Sequence, residues 1–363
     1  MRLAWLTLML IWQPGRGFAA DLIFSGSLER VGHESISVRL PGRRVIDARL
    51  PHASALAAEK IAEQYTRGDQ VQITCKPIKP VWEEDTSRYQ SLEVTKLQFL
   101  RKPSVQELSE IPELPAWREG VDLLTHPARD PQRSTVGNVD PHAREVNLQY
   151  ASNMPNFVAD ETAKRYSSDG ASSQWRYLDT IETEIAFHGS RVIRRQVRKD
   201  GKPWDRPFQA LPGFKWSGGF GGEIRPLFDS QCPTTIEFAG AAEVRGKKLL
   251  RYRFSSPPDG CFVPFYLEYQ RYNPARTGYL FLDDPDGRLI QLEEDAGGFP
   301  PELEFAERKE EVSWDYVKIG DASHLLPVEA NFVVSYSSGS KWRIEVEYKN
   351  HRHFEASTNI TFK

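Results

Sequence analysis

Long apolar runs are absent from this chain. The run Leu3–Trp12 has ten residues, whereas a helical bilayer span needs about 20. An excess of one charge is missing too. The 47 Lys and Arg stand against 50 Asp and Glu, a net charge of −3, so the balance points neither to nucleic acid nor to an anionic membrane surface. The nucleophile-elbow pattern Gly-x-Ser-x-Gly does not occur, nor does His-Glu-x-x-His. With 39% apolar and 27% charged residues, whole-chain disorder, collagen-like repeats and a coiled coil are excluded as well. What the chain does hold is 25 Gly and 25 Pro in 363 residues, which predicts many turns and many short strands.

The N-terminus reads as a signal peptide over residues 1–20. Arg2 is followed by the apolar run, then Pro14-Gly15 and a small-residue stretch ending in Ala19-Ala20. The cut falls after Ala19 or Ala20, and a buried N-terminal strand or helix is the competing reading. No cysteine follows the run, so a lipid-anchored N-terminus is not expected. Loss of Arg2 and Arg16 takes the mature chain to −5. The protein is therefore expected to be periplasmic or secreted, with no transmembrane span in its mature form.

Export favours pairing among the three cysteines, Cys75, Cys232 and Cys261. In Val71-Gln72-Ile73-Thr74-Cys75 the apolar residues alternate, so Cys75 shares the inward face of a strand and behaves as a small hydrophobe. Cys232 and Cys261 then form the expected disulfide, closing a loop of about 30 residues at a gain of roughly 3–4 kcal/mol.

Residues 21–101 read as one unit. Leu22–Val31 is a strand; Ile36, Val38 and Leu40 alternate, Pro41-Gly42 turns the chain, and Ile46, Ala48 and Leu50 alternate back. A helix follows with Ser54 as its cap and Ala58, Ile61, Ala62 and Tyr65 on one face. Asp69–Lys76 and Leu92–Leu100 complete five strands, with the helix between the third and fourth, which is the order of an OB-like barrel. Its 12 basic and 11 acidic residues give no footprint for nucleic acid. Trp82 and Tyr89 flank Glu83-Glu84-Asp85, which would repel phosphate.

Residues 102–140 carry Pro103, Pro112, Pro115, Pro127 and Pro131 and read as a Pro-rich linker with short helices near Val105–Ile111 and Trp117–Leu124. Residues 141–363 read as one main packing helix, Arg144–Asn153 with Val146, Tyr150 and Ala151 inward, followed by a curved antiparallel sheet. Trp175, Tyr177, Ile181, Ile185 and Phe187 share one face of a period-two strand, as do Trp314 and Tyr316. The pattern is cleanest in Trp342, Ile344, Val346 and Tyr348, with Arg343, Glu345, Glu347 and Lys349 opposite. Asp284-Pro285-Asp286-Gly287 is a hairpin turn. The fold class expected is mainly β: a five-stranded OB-like barrel, then a half-barrel.

Three stretches, Met154–Glu161, Gly218–Asp229 and Trp342–Phe362, resemble an uncharacterised family of secreted acidobacterial proteins. More distantly, residues 141–363 resemble the periplasmic lipoprotein-carrier (LolA-type) half-barrel group, on the layout of Gly278–Gly287 and Val312–Pro327. That resemblance implies an open barrel around an apolar cavity. The N-terminal barrel and the disulfide depart from the simple carriers.

No catalytic or metal constellation stands out. His351 and His353 lie two apart but continue the polar row of Glu345, Glu347 and Lys349, and Gly219 and Gly221 lack a third glycine at position 224. No cofactor is expected. The candidate ligand-binding residues are aromatic: Trp175, Tyr177, Trp216, Phe220, Trp314, Tyr316 and Trp342. They either line a concave cavity or pack against the helix as core. The reading is an exported, non-enzymatic binding protein holding an apolar ligand (lipid, lipoprotein or peptide). The alternative is an envelope structural or interaction module without a small ligand. A hydrolase using two carboxylates of separated pKa is the third reading. The partner is thus an apolar ligand or an envelope protein.

Overall fold

The computed structural model describes residues 21–51, 55–78, 91–113, 115, 122–124, 139–170, 174–188, 191–216, 220, 222–267, 270–300 and 303–353. The signal-peptide reading, the Ser54 cap, Trp82, Tyr89, the helix near Trp117 and most of the linker lie outside these residues.

The N-terminal part is built from β1 (Leu22–Val31), β2 (Ser35–Arg39), β3 (Val45–Arg49), α1 (Ala55–Gln64), β4 (Gln70–Ile78) and β5 (Ser91–Arg101). β1 pairs with β2 and β4, β2 with β3, and β4 with β5, all antiparallel. A parallel pairing of β3 with β5 closes the ring, the strand order of an OB barrel. Alternation puts Leu28, Ile36, Val38, Ile46, Val71 and Ile73 inside. Cys75 is buried among them and unpaired, and burial pushes its thiol up to about 12. Gly26 has a structural reason: a Cβ there would sit 2.1 Å from the carbonyl oxygen of Arg39 on the crossing strand. After the barrel, α2 (Val105–Ser109) starts on a capping box between Ser104 and Glu107.

The second part begins with α3 (Pro141–Asn153), capped by Asp140. Tyr150 and Ala151 pack against the core as expected, but the fully buried positions are Ala143 and Asn147, while Val146 is only half-buried. Asn147 explains the shift. Its amide donates to Ala143 O and Gly287 O and accepts from Leu289 N, tying α3 to a β-hairpin turn. Gly287 lies under Ala143 at φ +70, a place only glycine fills without strain.

Then come β6 (Phe157–Ser168), β7 (Arg176–His188), β8 (Arg191–Lys199), β9 (Lys202–Pro203), α4 (Ile224–Phe228), β10 (Thr235–Val244), β11 (Lys247–Ser256), β12 (Phe265–Leu267), β13 (Gln270–Tyr272), β14 (Ala275–Leu282), β15 (Leu289–Gly297), β16 (Phe305–Ile319), β17 (Ala322–Tyr336) and β18 (Lys341–His353). All but β12 and β13 form one curved antiparallel sheet of eleven strands, ordered β10-β11-β14-β15-β16-β17-β18-β6-β7-β8-β9. Its apolar face and α3 enclose the main core. The alternation predicted for β18 holds from Ile344 to Tyr348, with Ile344, Val346 and Tyr348 all at most 3% exposed. It breaks at an irregularity between Lys349 and Arg352, where Asn350 takes φ +53. His351 therefore leaves the polar row: it is half-buried, 5.5 Å from the Phe157 ring, with its Nε2 3.1 Å from Pro327 O.

The two parts share a sheet. β12 and β13 leave the second part and extend the barrel, with Gln270 opposite Ile46 and Arg271 opposite Val45. The disulfide between Cys232 and Cys261 braces the segment that leads into this hairpin. Side chains pointing away from the barrel core complete the junction. Arg39 pairs with Glu29 at 2.9 Å and Asp259 at 3.0 Å, and Arg271 pairs with Asp47 at 2.7 Å. The β1–β3 face is thus engaged with the chain's own second part.

Candidate functional site

The concave side of the eleven-stranded sheet holds the described residues of the stretch 204–234, here termed the plug. Phe208, Leu211, Trp216, Ile224, Leu227 and Phe228 are its buried anchors, each at most 4% exposed. Its described regular structure is one 3-10 turn and the five-residue α4, so side chains rather than a backbone ladder hold it.

Three buried ionic clusters meet the plug on the sheet's inner face. In the first, Glu161 of β6 accepts from Arg194 Nε at 2.7 Å and Arg194 Nη2 at 2.9 Å. It also accepts from Thr183 Oγ1 at 2.7 Å and from the plug's Trp216 Nε1 at 2.8 Å. Burial works to raise the Glu161 carboxyl, but Arg194 and these donors outweigh it and hold it below the usual range. The guanidinium stacks over the Phe208 and Trp216 rings at 4.5 and 5.4 Å.

In the second, Arg165 grips Asp179 with two bonds of 2.6 and 2.7 Å and donates to the plug's Pro212 O at 2.7 Å. Lys199 stands 3.1 Å from the same carboxylate. Burial works to raise the Asp179 carboxyl, and these two cations overcome it and keep it below its ordinary value.

The third lies on β14–β16. Glu294 and Glu310 stand directly opposite across the β15–β16 register, both 3% exposed. Arg276 pairs with Glu294 at 2.6 Å, Arg308 pairs with Glu310, and the plug's Glu223 adds a third carboxyl that interacts with both. Burial pushes Glu310 up to about 8 and also raises Glu223.

The seven aromatic candidates separate into three environments. Trp216, Phe220 and Trp314 are interior, at 3%, 7% and 1% exposure. Phe220 packs on Phe157, Phe187 and Tyr348 at 5.3–6.0 Å between ring centres. Trp175 and Trp342 are half-buried at the rim: Arg343 lies over the Trp175 ring at 5.0 Å, and Gly213 leaves no room for a side chain beside Trp342. Tyr177 and Tyr316 are exposed. A groove of about 330 Å³ lies instead on the opposite face of the sheet, lined by Thr162, Lys164, Glu311, Asn331, Glu345 and Glu347 among others. None of the seven lines it.

The inner ionic residues escaped the sequence reading. The signal was parity: Glu161 and Arg165 occupy the same alternation as Phe157, Ala159 and Ala163, and Glu294 that of Leu292 and Ala296. Charges at core parity mark buried pairs rather than a wet face. Chemically, the clusters bind and orient the chain's own plug.

Fold and site together define a two-part β protein, an OB barrel joined to a plugged antiparallel half-barrel. No family model matches the chain, and no curated protein matches it. Among solved structures it is similar to a DUF1329 family protein from Desulfovibrio piger, at 10% identity and a TM-score of 0.32, over 62% of this chain and 96% of that one. It is also similar to a LolA superfamily protein from Nitrosomonas europaea, at 9% identity and a TM-score of 0.29, over 61% and 97%. A likeness this slight carries no argument about ligands. No helix among the described residues is long and apolar enough to cross a membrane.

Proposed function

We propose that this is an exported, non-enzymatic interaction module of the cell envelope, whose half-barrel is filled by its own plug and whose partners are proteins met at its surface. One observation carries the reading: two of the three buried clusters on the concave face bond plug atoms, Trp216 Nε1 and Pro212 O, rather than being left open to a guest. An acyl chain could not replace those donors and acceptors without stranding Glu161 or Arg165. The disulfide supports an oxidising compartment. Engagement of the β1–β3 face with the second part supports a role without nucleic acid.

A second reading is favoured by the plug's sparse regular structure: an apolar ligand held between plug and sheet, against Phe157, Phe187 and Phe220. Native mass spectrometry of mature protein purified from a bacterial periplasm, with solvent extraction, separates the two. A clean apo mass is the expected result. A reproducible added mass that extracts as lipid overturns the filled module in favour of the carrier.

A further inference from the structure

The third ionic cluster sets a charge problem that the other two do not. Three carboxyls, Glu223, Glu294 and Glu310, face two guanidiniums, Arg276 and Arg308, in a site whose sheet-side members are sealed. Glu294 and Glu310 are paired across neighbouring strands, where like charges repel. Arg276 is held in place by Phe262 and Phe265 at 4.8 and 5.2 Å and by Val263 O, and Arg308 by Phe265 and Phe332 at 5.0 and 5.6 Å. Neither cation can swing out to adjust the balance. The cluster is neutral only while one carboxyl keeps its proton. With all three ionised it carries one uncompensated buried negative charge.

The groups that face Glu310 are few. Arg308 lies on its own strand, Glu294 on β15, Arg276 on β14, Glu223 on the plug and the Tyr348 phenol on β18, while Phe332 faces it from β17. Of the carboxyls, Glu223 alone belongs to the plug rather than the sheet. It immediately precedes α4, whose Ile224, Leu227 and Phe228 anchor that end of the plug. Relief of the excess charge therefore has one cheap route, movement of Glu223 away from the sheet.

We propose that this cluster is a proton-operated latch: one shared proton holds the Glu223 end of the plug against β14–β16, and its loss releases that end. The latch is independent of which partner the protein meets. Hydrogen exchange of the whole mature protein from about pH 5.5 to 9.5, corrected for intrinsic rates, tests it. Peptides covering 222–230 are expected to lose protection as pH rises towards about 8, by ~tenfold per pH unit as one proton's linkage requires, and to level off above it, while β6 and β7 keep theirs. Glu310→Gln keeps the site neutral without the proton, so its protection stays flat across the whole range. Glu294→Gln makes the same balance should the first variant fold poorly, and Glu311→Gln, on the outer face of the same strand, leaves the wild-type profile. The latch is overturned if wild-type protection is independent of pH. It is equally overturned if the Gln variants follow the wild type, or if β6 and β7 loosen in step with the plug.

Discussion

The indole N–H of Trp216 donates to Glu161 Oε1 at 2.8 Å, across the interface between plug and sheet. The same carboxylate takes both forks of Arg194, so a single buried side chain joins β6, β8 and the plug. Trp216→Phe keeps a ring for Arg194 to stack on but removes the donor, and is expected to cost ~1–3 kcal/mol. Glu161→Gln strands a buried guanidinium and is expected to cost ~3–5 kcal/mol. Urea unfolding of both variants and of the double variant gives the coupling energy. A coupling indistinguishable from zero would detach Trp216 from the cluster.

The lowered carboxyls make the acid side of the stability curve steep. Burial opposes ionisation of Glu161, Asp179 and Asp47, but Arg194, Arg165 with Lys199, and Arg271 respectively hold them below their ordinary values. A carboxyl depressed in the folded state contributes stability above its unfolded pKa, and this is lost as pH falls through the folded value. Glu310 has the opposite sign. Its contribution is complete below the unfolded value and fades as pH rises through about 8. Melting temperature is therefore expected to peak near pH 5, just above the ordinary carboxyl values, to fall on the acid side, and to decline on the alkaline side until about pH 8. Asp179→Asn should flatten the acid side alone.

Gly213 and Trp342 make a close contact that a small substitution probes. A Cβ on Gly213 would lie 2.2 Å from Trp342 Cη2, and the residue sits at φ +81. Gly213→Ala is expected to cost ~1–3 kcal/mol by overpacking and to shift Trp342 emission towards that of an exposed indole. Gly246→Ala, also at positive φ but with nothing within 4 Å, supplies the backbone cost alone. Equal losses in the two would remove the packing claim.

Strand parity made most of the fold legible. The alternation in Ile36–Leu50 and Trp342–Tyr348 and the turn at Asp284–Gly287 are local signals, and local signals set strands and hairpins. The disulfide followed because Cys75 sits at inward parity in β4. What did not follow is long-range or irregular. Nothing local to Gln270–Tyr272 announces that it pairs with Val45–Ile46, more than 200 residues away. The irregularity at Asn350 reverses parity at His351 without a sequence mark. The plug's role was hidden because its aromatics bury through tertiary contacts rather than a period. The aromatic residues drew attention as a set, yet charges at core parity were the better guide to the inner face.

The disulfide and the lone thiol can be distinguished by chemistry. Cys232 and Cys261 are bonded, and Cys75 is buried with its thiol pushed up to about 12, so the native protein is expected to be inert to a thiol reagent. Denaturation without reductant should release one reactive thiol. Reduction should then release two more and lower stability by ~3–4 kcal/mol. A native protein that labels at once would contradict the burial of Cys75.

The shared sheet predicts that barrel and half-barrel unfold together, and that the coupling has a removable cause. Among the described residues only Gln270 and Arg271 of β12–β13 face β3, a short backbone pairing. The ionic junction carries the rest: Arg39 with Glu29 and Asp259, and Arg271 with Asp47, which also accepts from Ser37 Oγ at 2.6 Å. These groups are largely desolvated, so removing one partner leaves buried charge on both sides of the junction. Arg39→Ala with Arg271→Ala should therefore loosen the two parts from one another while leaving each core intact. Calorimetry is expected to show one transition for the wild type and two for the double variant, with the smaller barrel melting first. Two transitions in the wild type would mean that the parts are only neighbours. A single transition in the double variant would place the coupling in the β3–β13 pairing and the braced loop at Cys261.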